Sequence, residues 1–462
     1  MTPETRVLVQ YRLDRSREAL AEAVLLLWVL VFPLGYYFLS FPRASPIFTF
    51  DRGLAVLLAI AICLHPRNKL TPLPVGFRRS AWAWAAFLAA GTVSMVHGQE
   101  LHGPMRMLLE AFLFPAILGY YVIACFPVRR YVRVLHCTIC VVALYSAAIG
   151  VAEVVLGTDL LPLPGAGEYL AGQQEGLALL RVNGPFLTNH SFGLIGLVTL
   201  CLLGFLQRSA GNSFPRWQRL LHGLGMTAAL VQALLPLFRS IFITLAVIIF
   251  LRLFHSQSMR RRLAGVAALT ALVAILLAAR SLAPDLYEER VSSSDNVYGR
   301  IAQQGQNYRV FLEHPLIGVG LNNFNQVASR TPRVGVSYEG VQSLDYPHSN
   351  LGAVLAETGL LGFLSYLLSQ IFLVLAFWKL REGCTPSGSI AWSFFLYIYL
   401  GYWITGLALT SGYYADLNLW FVFSIGLVYK YAIQEQEAGR ATANSPLDPL
   451  GEKGAELTVA GI

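Results

Sequence analysis

Long apolar stretches separated by short polar loops account for most of the chain. A helix needs about 20 mostly apolar residues to cross the hydrocarbon core of a bilayer. The pattern therefore predicts an all-α polytopic membrane protein with about 12 transmembrane helices. The predicted spans are residues 20–40, 46–64, 80–97, 107–126, 131–156, 190–207, 219–238, 240–254, 263–279, 360–380, 388–409 and 417–433.

The distribution of basic residues supports this order of spans. Cytoplasmic loops of membrane proteins are enriched in Lys and Arg. If the N terminus is cytoplasmic, most of the 34 Lys and Arg residues, and every lysine, fall on the cytoplasmic side, in loops or at the cytoplasmic ends of spans. An even number of spans then places both termini in the cytoplasm. The polar residues 434–462 predict a disordered cytoplasmic tail.

The composition narrows the class of protein. Only 13% of the residues are charged and 55% are hydrophobic, whereas a soluble domain has about 25% charged residues. Residues 1–462 are therefore interpreted as a single membrane domain. The net charge of +8 does not indicate nucleic-acid binding, because the basic residues lie in short loops between apolar stretches and form no continuous basic stripe.

One long loop, residues 280–359, lies on the side opposite the cytoplasm, called the outer side below. Long loops that are not disordered are usually functional, and this one contains Tyr, Phe, Val and Leu throughout. The pattern predicts a helix over Gly299–His314 and an irregular segment over 330–347.

A second helix is predicted to start near the end of this loop. Ser349 or Asn350 can cap its N terminus, and Gly359 is expected to stop it. Just before this helix lies His348, whose side chain could act as a general base. The alternative is that His348 is a surface residue. Glu357, which lies just before an apolar span, is expected to hold a backbone amide or an arginine in place.

The basic residues on the outer side are all arginines. Arginine offers a planar and permanently charged fork that matches phosphate oxygens. Arg181, Arg239, Arg300 and Arg309 are therefore candidates for binding a diphosphate. Two alternatives stay open: Arg239 could be an interfacial arginine that reaches lipid headgroups, and Arg300 could belong to a solvated helix face.

The residues around His348 resemble a known family signature. His348-Ser349-Asn350-Leu351, followed by Ala356-Glu357-Thr358-Gly359-Leu360-Leu361-Gly362, is similar to the H-N-x-x-L…E-x-G-x-x-G signature of the O-antigen ligase and polymerase superfamily. Three further elements resemble that family: Arg300 followed by His314-Pro315-Leu316-Ile317-Gly318-Val319-Gly320, the segment from Arg181 through Gly184-Pro185-Phe186 to Asn189-His190, and Phe238-Arg239-Ser240.

The sequence departs from the family pattern in a few places. Ser349 stands where the family often has Asn, and Gly352 stands where an apolar residue is usual. Phe238 and Ser240 flank Arg239 in place of Ser and Gly. These departures bear on the branch of the family and on the role of Arg239.

The resemblance implies saccharide transfer at the periplasmic face of the bacterial inner membrane. The donor would be an undecaprenyl-diphosphate-linked saccharide, and the acceptor lipid A-core (for a ligase) or another lipid-linked glycan (for a polymerase). His348 would be the catalytic base, and Arg239 and Arg300, with Arg181 as a weaker third, would bind the diphosphate. Glu357 and Asn189 would support the site.

The glycosyltransferase is expected to need neither a cofactor nor a metal. The outer loops contain no Asp-x-Asp pair of the kind that holds Mg²⁺ or Mn²⁺. Two other classes of protein remain as alternatives to a glycosyltransferase. A transporter of lipid-linked glycan or anions would be expected to have broken helices at mid-membrane, and a protein that only organises an envelope assembly would need no catalytic residues.

Overall fold

The computed structural model describes residues 19–34, 48–64, 73, 75–98, 101–161, 182–186, 188–210, 213–255, 259–282, 294–343, 346–382 and 385–443. Within these ranges the fold is almost entirely helical. The helices are α1 (Ala19–Leu34), α2 (Phe50–Leu64), α3 (Val75–Ser94), α4 (His102–Ala124, with a π-helical turn at Leu108–Leu113), α5 (Val128–Leu156), α6 (Asn189–Ala210), α7 (Arg216–Leu234), α8 (Arg239–His255), α9 (Met259–Leu282), α10 (Asp295–Glu313), α11 (Phe324–Arg330), α12 (Asn350–Glu382), α13 (Pro386–Ala408) and α14 (Ala415–Ala443).

Each predicted span overlaps one of these helices, in the predicted order. Five of the described helices, α4, α5, α6, α12 and α13, are long and apolar enough to cross a membrane. The helix α1 and the segment Arg262–Ile275 of α9 are apolar but shorter. The structure thus agrees with an all-α membrane protein, and the total of about 12 spans stays a prediction.

Local sequence signals explain where several helices begin and end. Thr385 precedes α13, and its hydroxyl oxygen accepts a hydrogen bond from the backbone amide of Gly388 at 3.2 Å. Pro386 then occupies the first position of the helix, where its missing N–H costs nothing. Another local signal is found at the C terminus of α5. This helix ends at Gly157, which has a left-handed conformation and is a common helix stop.

A cluster of aromatic rings joins the first and last described helices. Phe32 of α1 stacks on Trp420 of α14, with 5.2 Å between ring centroids. Trp28 packs against the same indole at 6.4 Å. The buried Trp420 donates its indole N–H to the hydroxyl of Thr199 on α6 at 3.0 Å, which satisfies the one polar atom of the ring. The helices α1, α6 and α14 therefore share one core.

The last helix corrects the predicted boundary of the polar tail. The sequence predicts disorder from residue 434, whereas α14 continues to Ala443. The reason is a set of contacts with the start of α5: Gln434 accepts a hydrogen bond from the amide of Arg129 at 3.0 Å, and Glu435 forms an ion pair with Arg129 at 2.9 Å. Residues 444–462 of the predicted tail lie outside the described part of the chain.

The described part of the long loop is folded and begins at residue 294. The predicted helix over Gly299–His314 is confirmed as α10, which starts four residues earlier, at Asp295. The prediction of an irregular segment over 330–347 was wrong in part. Two short strands, β1 (Ser337–Tyr338) and β2 (Val341–Gln342), pair antiparallel with Ser337 opposite Gln342.

The turn between β1 and β2 explains why the sequence did not reveal this hairpin. Glu339 and Gly340 both have positive φ, 49° and 81°, as a two-residue hairpin turn requires. Asn-Gly or Asp-Gly would have been a recognisable signal for such a turn, whereas glutamate rarely occupies its first position. The segment just before the hairpin is bound to α10 by Arg309, whose guanidinium donates to the carbonyl oxygens of Arg333 and Gly335 at 3.2 and 2.6 Å.

Candidate active site

Two of the motif segments lie directly against each other. Residues 315–320, which follow α10, run alongside residues 356–360 of α12. Backbone hydrogen bonds join them at both ends of the contact, from Val319 to Ala356 (3.0 Å), from Gly320 to Glu357 (3.0 Å) and from Leu360 to Pro315 (2.9 Å), the amide being named first in each pair. The long loop is thus attached to α12 by main-chain hydrogen bonds, which do not depend on flexible side chains.

Two glycines make this close approach possible. Gly318 and Gly359 both have positive φ, 76° and 62°, which an L-residue with a side chain rarely adopts. A Cβ atom on Gly359 would lie 2.5 Å from the backbone nitrogen of Gly318, and a Cβ on Gly318 would lie 2.3 Å from the carbonyl oxygen of Glu357. Gly359 also interrupts α12, where its φ and ψ are not helical, as the sequence indicated.

Glu357 lies beneath this contact and is 2% exposed. Its carboxylate accepts hydrogen bonds from the backbone amides of Asn322 at 2.9 Å and Phe324 at 3.4 Å. It also accepts one from the phenol of Tyr413 at 2.6 Å. A buried carboxylate needs such donors to offset its desolvation. Glu357 therefore joins three segments: the turn at 320–324, α12 and the connection that precedes α14.

His348 is positioned by the residues on either side of it. The side-chain amide of Asn307 on α10 donates to the carbonyl oxygen of Pro347 at 2.8 Å. On the other side, the hydroxyl of Ser349 accepts from the amide of Gly352 at 3.2 Å and caps α12, as predicted. A Cβ atom on Gly352 would lie 2.1 Å from Asn307 Nδ2, so the family departure at Gly352 makes room for the amide that holds Pro347.

The imidazole of His348 is set up as a neutral acceptor. The backbone has a positive φ of 42°, an uncommon conformation that tends to occur at functional sites. The ring is half-buried, and its Nε2 is buried without a hydrogen bond to any of the described residues. Burial, and secondly the positive charge of Arg300, lowers the pKa of His348 to about 4. The ring is therefore uncharged at neutral pH and can accept a proton.

Arg300 lies close enough to His348 to act on it electrostatically. It projects from the second turn of α10 and is half-buried, and its Nη1 is buried without a hydrogen bond to the described part of the chain. Burial lowers the pKa of Arg300, but a guanidinium remains charged in proteins. A charged donor and a neutral acceptor thus occur side by side.

Ring contacts bring two further motif segments to this place. The ring of His190 stacks on Phe238, with centroids 4.3 Å apart, and lies 6.3 Å from the ring of Tyr414. Tyr414 is within electrostatic range of Arg300. Arg239 directly follows Phe238 and is the first residue of α8, whose N terminus adds positive potential.

The break that separates α7 from α8 occurs where the sequence indicated, just before Arg239. Leu237 has a positive φ of 55°, and α7 has ended at Leu234. Arg239 is therefore carried on the first turn of a helix and not inside a continuous span.

Arg181 and Asn189 are the remaining residues that the sequence predicted for the site. Arg181 lies outside the described residues. Asn189 is buried and begins α6. The neighbouring Gly184 donates its amide to Glu153 on α5 at 2.8 Å, so a carboxylate that the sequence analysis missed anchors this segment. The available signal was a single acidic residue within an apolar span, which is costly unless it has a function or a partner.

The connection before α14 also contributes to the site, although the sequence did not mark it as functional. Tyr413 binds Glu357, and Tyr414 lies near Arg300. Gly412 donates its amide to the side-chain oxygen of Asn350 at 2.7 Å. The run Thr410-Ser411-Gly412-Tyr413-Tyr414-Ala415-Asp416 is polar and aromatic between two apolar spans, which was the only available signal.

Across the described ranges, no three His, Cys, Asp or Glu side chains are grouped as a metal ion would need.

Residues 233–367 match the family described as O-antigen ligase, which confirms the resemblance that the motifs indicated. This stretch contains Arg239, Arg300, His348 and Glu357. No curated protein matches the chain.

Proposed function

Because residues 233–367 match the O-antigen ligase family, we propose that this protein is a membrane glycosyltransferase of the ligase type. It transfers a saccharide from an undecaprenyl-diphosphate-linked donor to an acceptor glycan, without a metal ion. The observation that carries the proposal is the pairing of a neutral imidazole, His348, with a buried guanidinium, Arg300, in one place. Such a pair supplies a proton acceptor for the attacking hydroxyl and a cation for the departing diphosphate.

The reaction can be written so that bonds and protons balance. The oxygen of an acceptor hydroxyl attacks the anomeric carbon of the donor saccharide, and its proton passes to Nε2 of His348. The bond from the anomeric carbon to the diphosphate oxygen breaks, and that oxygen leaves with the electron pair. The imidazolium then releases the proton to water. Charge accumulates on the diphosphate, where Arg300 stabilises it.

Substrate binding would also strengthen the base. The positive charge of Arg300 contributes to the low pKa of His348. A diphosphate bound to Arg300 brings negative charge next to both side chains, and an adjacent negative charge raises the pKa of an imidazole. His348 thus remains uncharged in the free enzyme and becomes a better proton acceptor once the donor is bound.

The other predicted residues have supporting roles in this proposal. Arg239, on the first turn of α8, is a second ligand of the diphosphate, and Arg181 is a third. Glu357 keeps the loop attached to α12 through its backbone and phenol hydrogen bonds. Asn189 supports the segment that contains Arg181.

The proposed setting is the bacterial inner membrane, with both termini in the cytoplasm and the site at the periplasmic face, among membrane lipids. The acceptor of a ligase is lipid A-core. The alternative is a polymerase, which would join one lipid-linked repeat unit to another. The two reactions share the donor and the same chemistry at the anomeric carbon.

The decisive experiment is transfer by the purified protein in proteoliposomes. Radiolabelled lipid-linked saccharide is supplied with lipid A-core in one reaction and with unlabelled lipid-linked repeat units in another. Labelled lipopolysaccharide supports the ligase, and a ladder of lengthened lipid-linked glycan supports the polymerase. Movement of label across the bilayer without any new glycosidic bond would contradict both and indicate a transporter.

A further inference from the structure

A cavity lies beside the proposed active site and is not used by the proposed chemistry. It is formed where the starts of α2 and α14, the first half of α4 and the loop before α6 meet. About 580 Å³ of empty space lies within it, and this figure includes the open mouth of the cavity. We call it the Glu110 cavity.

The Glu110 cavity has a charged wall. Arg52 donates its Nε to Glu110 at 2.6 Å, and Arg106 donates its Nε to the other oxygen of Glu110 at 3.1 Å. Asp51 accepts a hydrogen bond from the indole of Trp28 at 2.6 Å, and Asp416 completes the charged lining. These side chains are therefore held in place before any ligand arrives.

The lining of the Glu110 cavity is also aromatic. Phe32, Phe114 and Phe186 line the Glu110 cavity, and the rings of Phe32 and Phe186 pack against each other at 6.1 Å. A pocket with an apolar surface and a few fixed polar groups is typical of a site that orients a small ligand. The C–H face of a sugar ring suits an aromatic wall, and its hydroxyls suit planar charged side chains.

The balance of charge argues against a diphosphate in this cavity. Its lining contains the carboxylates of Asp51, Glu110 and Asp416 and the guanidiniums of Arg52 and Arg106. Both arginines are bound to Glu110, so a diphosphate would have to compete with that carboxylate for them. A hydroxyl group both donates and accepts hydrogen bonds, and it can therefore bind to carboxylates and guanidiniums alike.

The cavity and the proposed active site share one segment. Asp416 lines the cavity, and Tyr414, two residues earlier, lies within electrostatic range of both Asp416 and Arg300. Asp416 is fixed by the hydroxyl of Ser191, which donates to it at 2.9 Å. A ligand in the cavity would thus lie next to the place where the diphosphate and His348 are proposed to meet.

We propose that the Glu110 cavity is a saccharide subsite, which binds the hydroxyl-rich part of one substrate while the arginines of the loop bind the diphosphate. This inference rests on the proposed glycan transfer. The saccharide can belong to the donor or to the acceptor, because both present the same chemistry to the cavity.

Two variants test the subsite in the full chain. Arg106→Gln removes one donor at a position whose side chain is 43% exposed, where loss of the ion pair costs the fold only about 0–1 kcal/mol. Ala415→Phe keeps every charge and fills the cavity. The matched control is Arg129→Gln, which breaks the Arg129–Glu435 ion pair near the opposite end of α14, roughly 30 Å from Ala415 at 1.5 Å per residue.

Binding to protein in nanodiscs is measured with three probes: undecaprenyl diphosphate without a sugar, the lipid-linked saccharide extracted from expressing cells, and the core oligosaccharide released from their lipopolysaccharide. Both variants should weaken one saccharide probe by about ten-fold or more, with little change for undecaprenyl diphosphate and none in the control. The probe that weakens identifies the donor or the acceptor.

Other outcomes overturn the subsite. Unchanged saccharide binding in both variants would do so, as would an equal loss for undecaprenyl diphosphate, which would make the cavity a diphosphate site. Absence of saccharide binding by the unmodified protein would also contradict it. Failure of the proposed function looks different, because the unmodified protein would then bind a saccharide in a manner sensitive to Arg106 and yet form no glycosidic bond.

Discussion

The phenol of Tyr413 donates a hydrogen bond of 2.6 Å to the carboxylate of Glu357, and this contact joins the connection before α14 to α12 and the folded loop before it. Tyr413 and Glu357 are 56 residues apart in the chain. Glu357 also accepts two backbone amides from the 320–324 turn. The pair therefore holds together the 320–324 turn, α12 and the connection before α14.

The first prediction concerns this pair. Tyr413→Phe should lower the free energy of unfolding by roughly 1.5–3 kcal/mol, as expected for a hydrogen bond to a charged group. Glu357→Ala should cost more, because it also leaves the backbone amides of Asn322 and Phe324 without this acceptor. Thermal unfolding in detergent measures both, with the exposed Tyr308→Phe as control. If Tyr413→Phe destabilises a Glu357→Ala background as strongly as the native protein, the two residues are not coupled.

His348 is the subject of the second prediction. His348→Ala should reduce kcat by about 10²–10⁴-fold, since general-base catalysis contributes that much. Binding of undecaprenyl diphosphate should be retained, because Arg300 and Arg239 are unchanged. His102→Ala, at an exposed histidine before the π-helical turn of α4, is the matched control and should be fully active. Normal turnover in His348→Ala would make His348 a structural residue of the loop.

The third prediction is a pH dependence. The pKa of His348 is lowered to about 4, so the proton-accepting form persists as pH falls until about pH 4, where kcat/KM should decline. An unperturbed histidine would give this decline near pH 6.5. The decline in kcat, which reports the enzyme–substrate complex, should occur at a higher pH than the decline in kcat/KM, because the bound diphosphate raises the pKa.

Arg300→Gln tests why the pKa of His348 is low. It removes the smaller of the two effects that lower the pKa of His348, while burial remains. The decline in kcat/KM should therefore shift upward but stay below pH 6.5. Size-exclusion profiles at each pH check that the fold persists. A native profile that declines at or above pH 6.5 would contradict the assignment of His348 as the base.

The fourth prediction separates the geometry of the arginines from their charge. Arg300→Ala and Arg239→Ala should each weaken donor use by about ten- to a hundred-fold. Lysine should restore little, because it lacks the planar fork that matches phosphate. Arg333→Ala is the control in the same loop, since its ion pair with Glu313 is exposed and contributes about 0–1 kcal/mol. Full rescue of both positions by lysine would show that charge alone matters.

The fifth prediction is that transfer does not require a divalent cation. Fixed guanidiniums can stabilise a departing diphosphate without an exchangeable ion. Activity of the purified protein should therefore be the same in EDTA as in Mg²⁺. Loss of activity in EDTA that is restored by Mg²⁺ or Mn²⁺, but not by Na⁺, would overturn the arginine mechanism, even though the family match would stand.

The sequence by itself determined the class of fold, the order of the helices and most of the proposed site. Apolar stretches and helix-stopping glycines are local signals, and a local signal is readable without knowing what packs against it. The helix α10, the capped start of α12 at Ser349 and the break at Gly359 all followed from such signals. The family motifs marked His348, Arg300, Arg239 and Glu357 for the same reason, because each lies within a short recognisable string.

Only the tertiary structure decided which residues meet. Tyr413 and Tyr414 follow two further helices after the loop, and Asp416 lies at the start of the last helix. No local pattern shows that this segment contacts Glu357 and approaches Arg300. The neutral state of His348 depends on its burial and on the charge of Arg300, which lies on another helix. The Glu110 cavity likewise joins the starts of α2 and α14 to α4 and to the loop before α6. Burial and charge coupling act through space, so the sequence order alone could not reveal them.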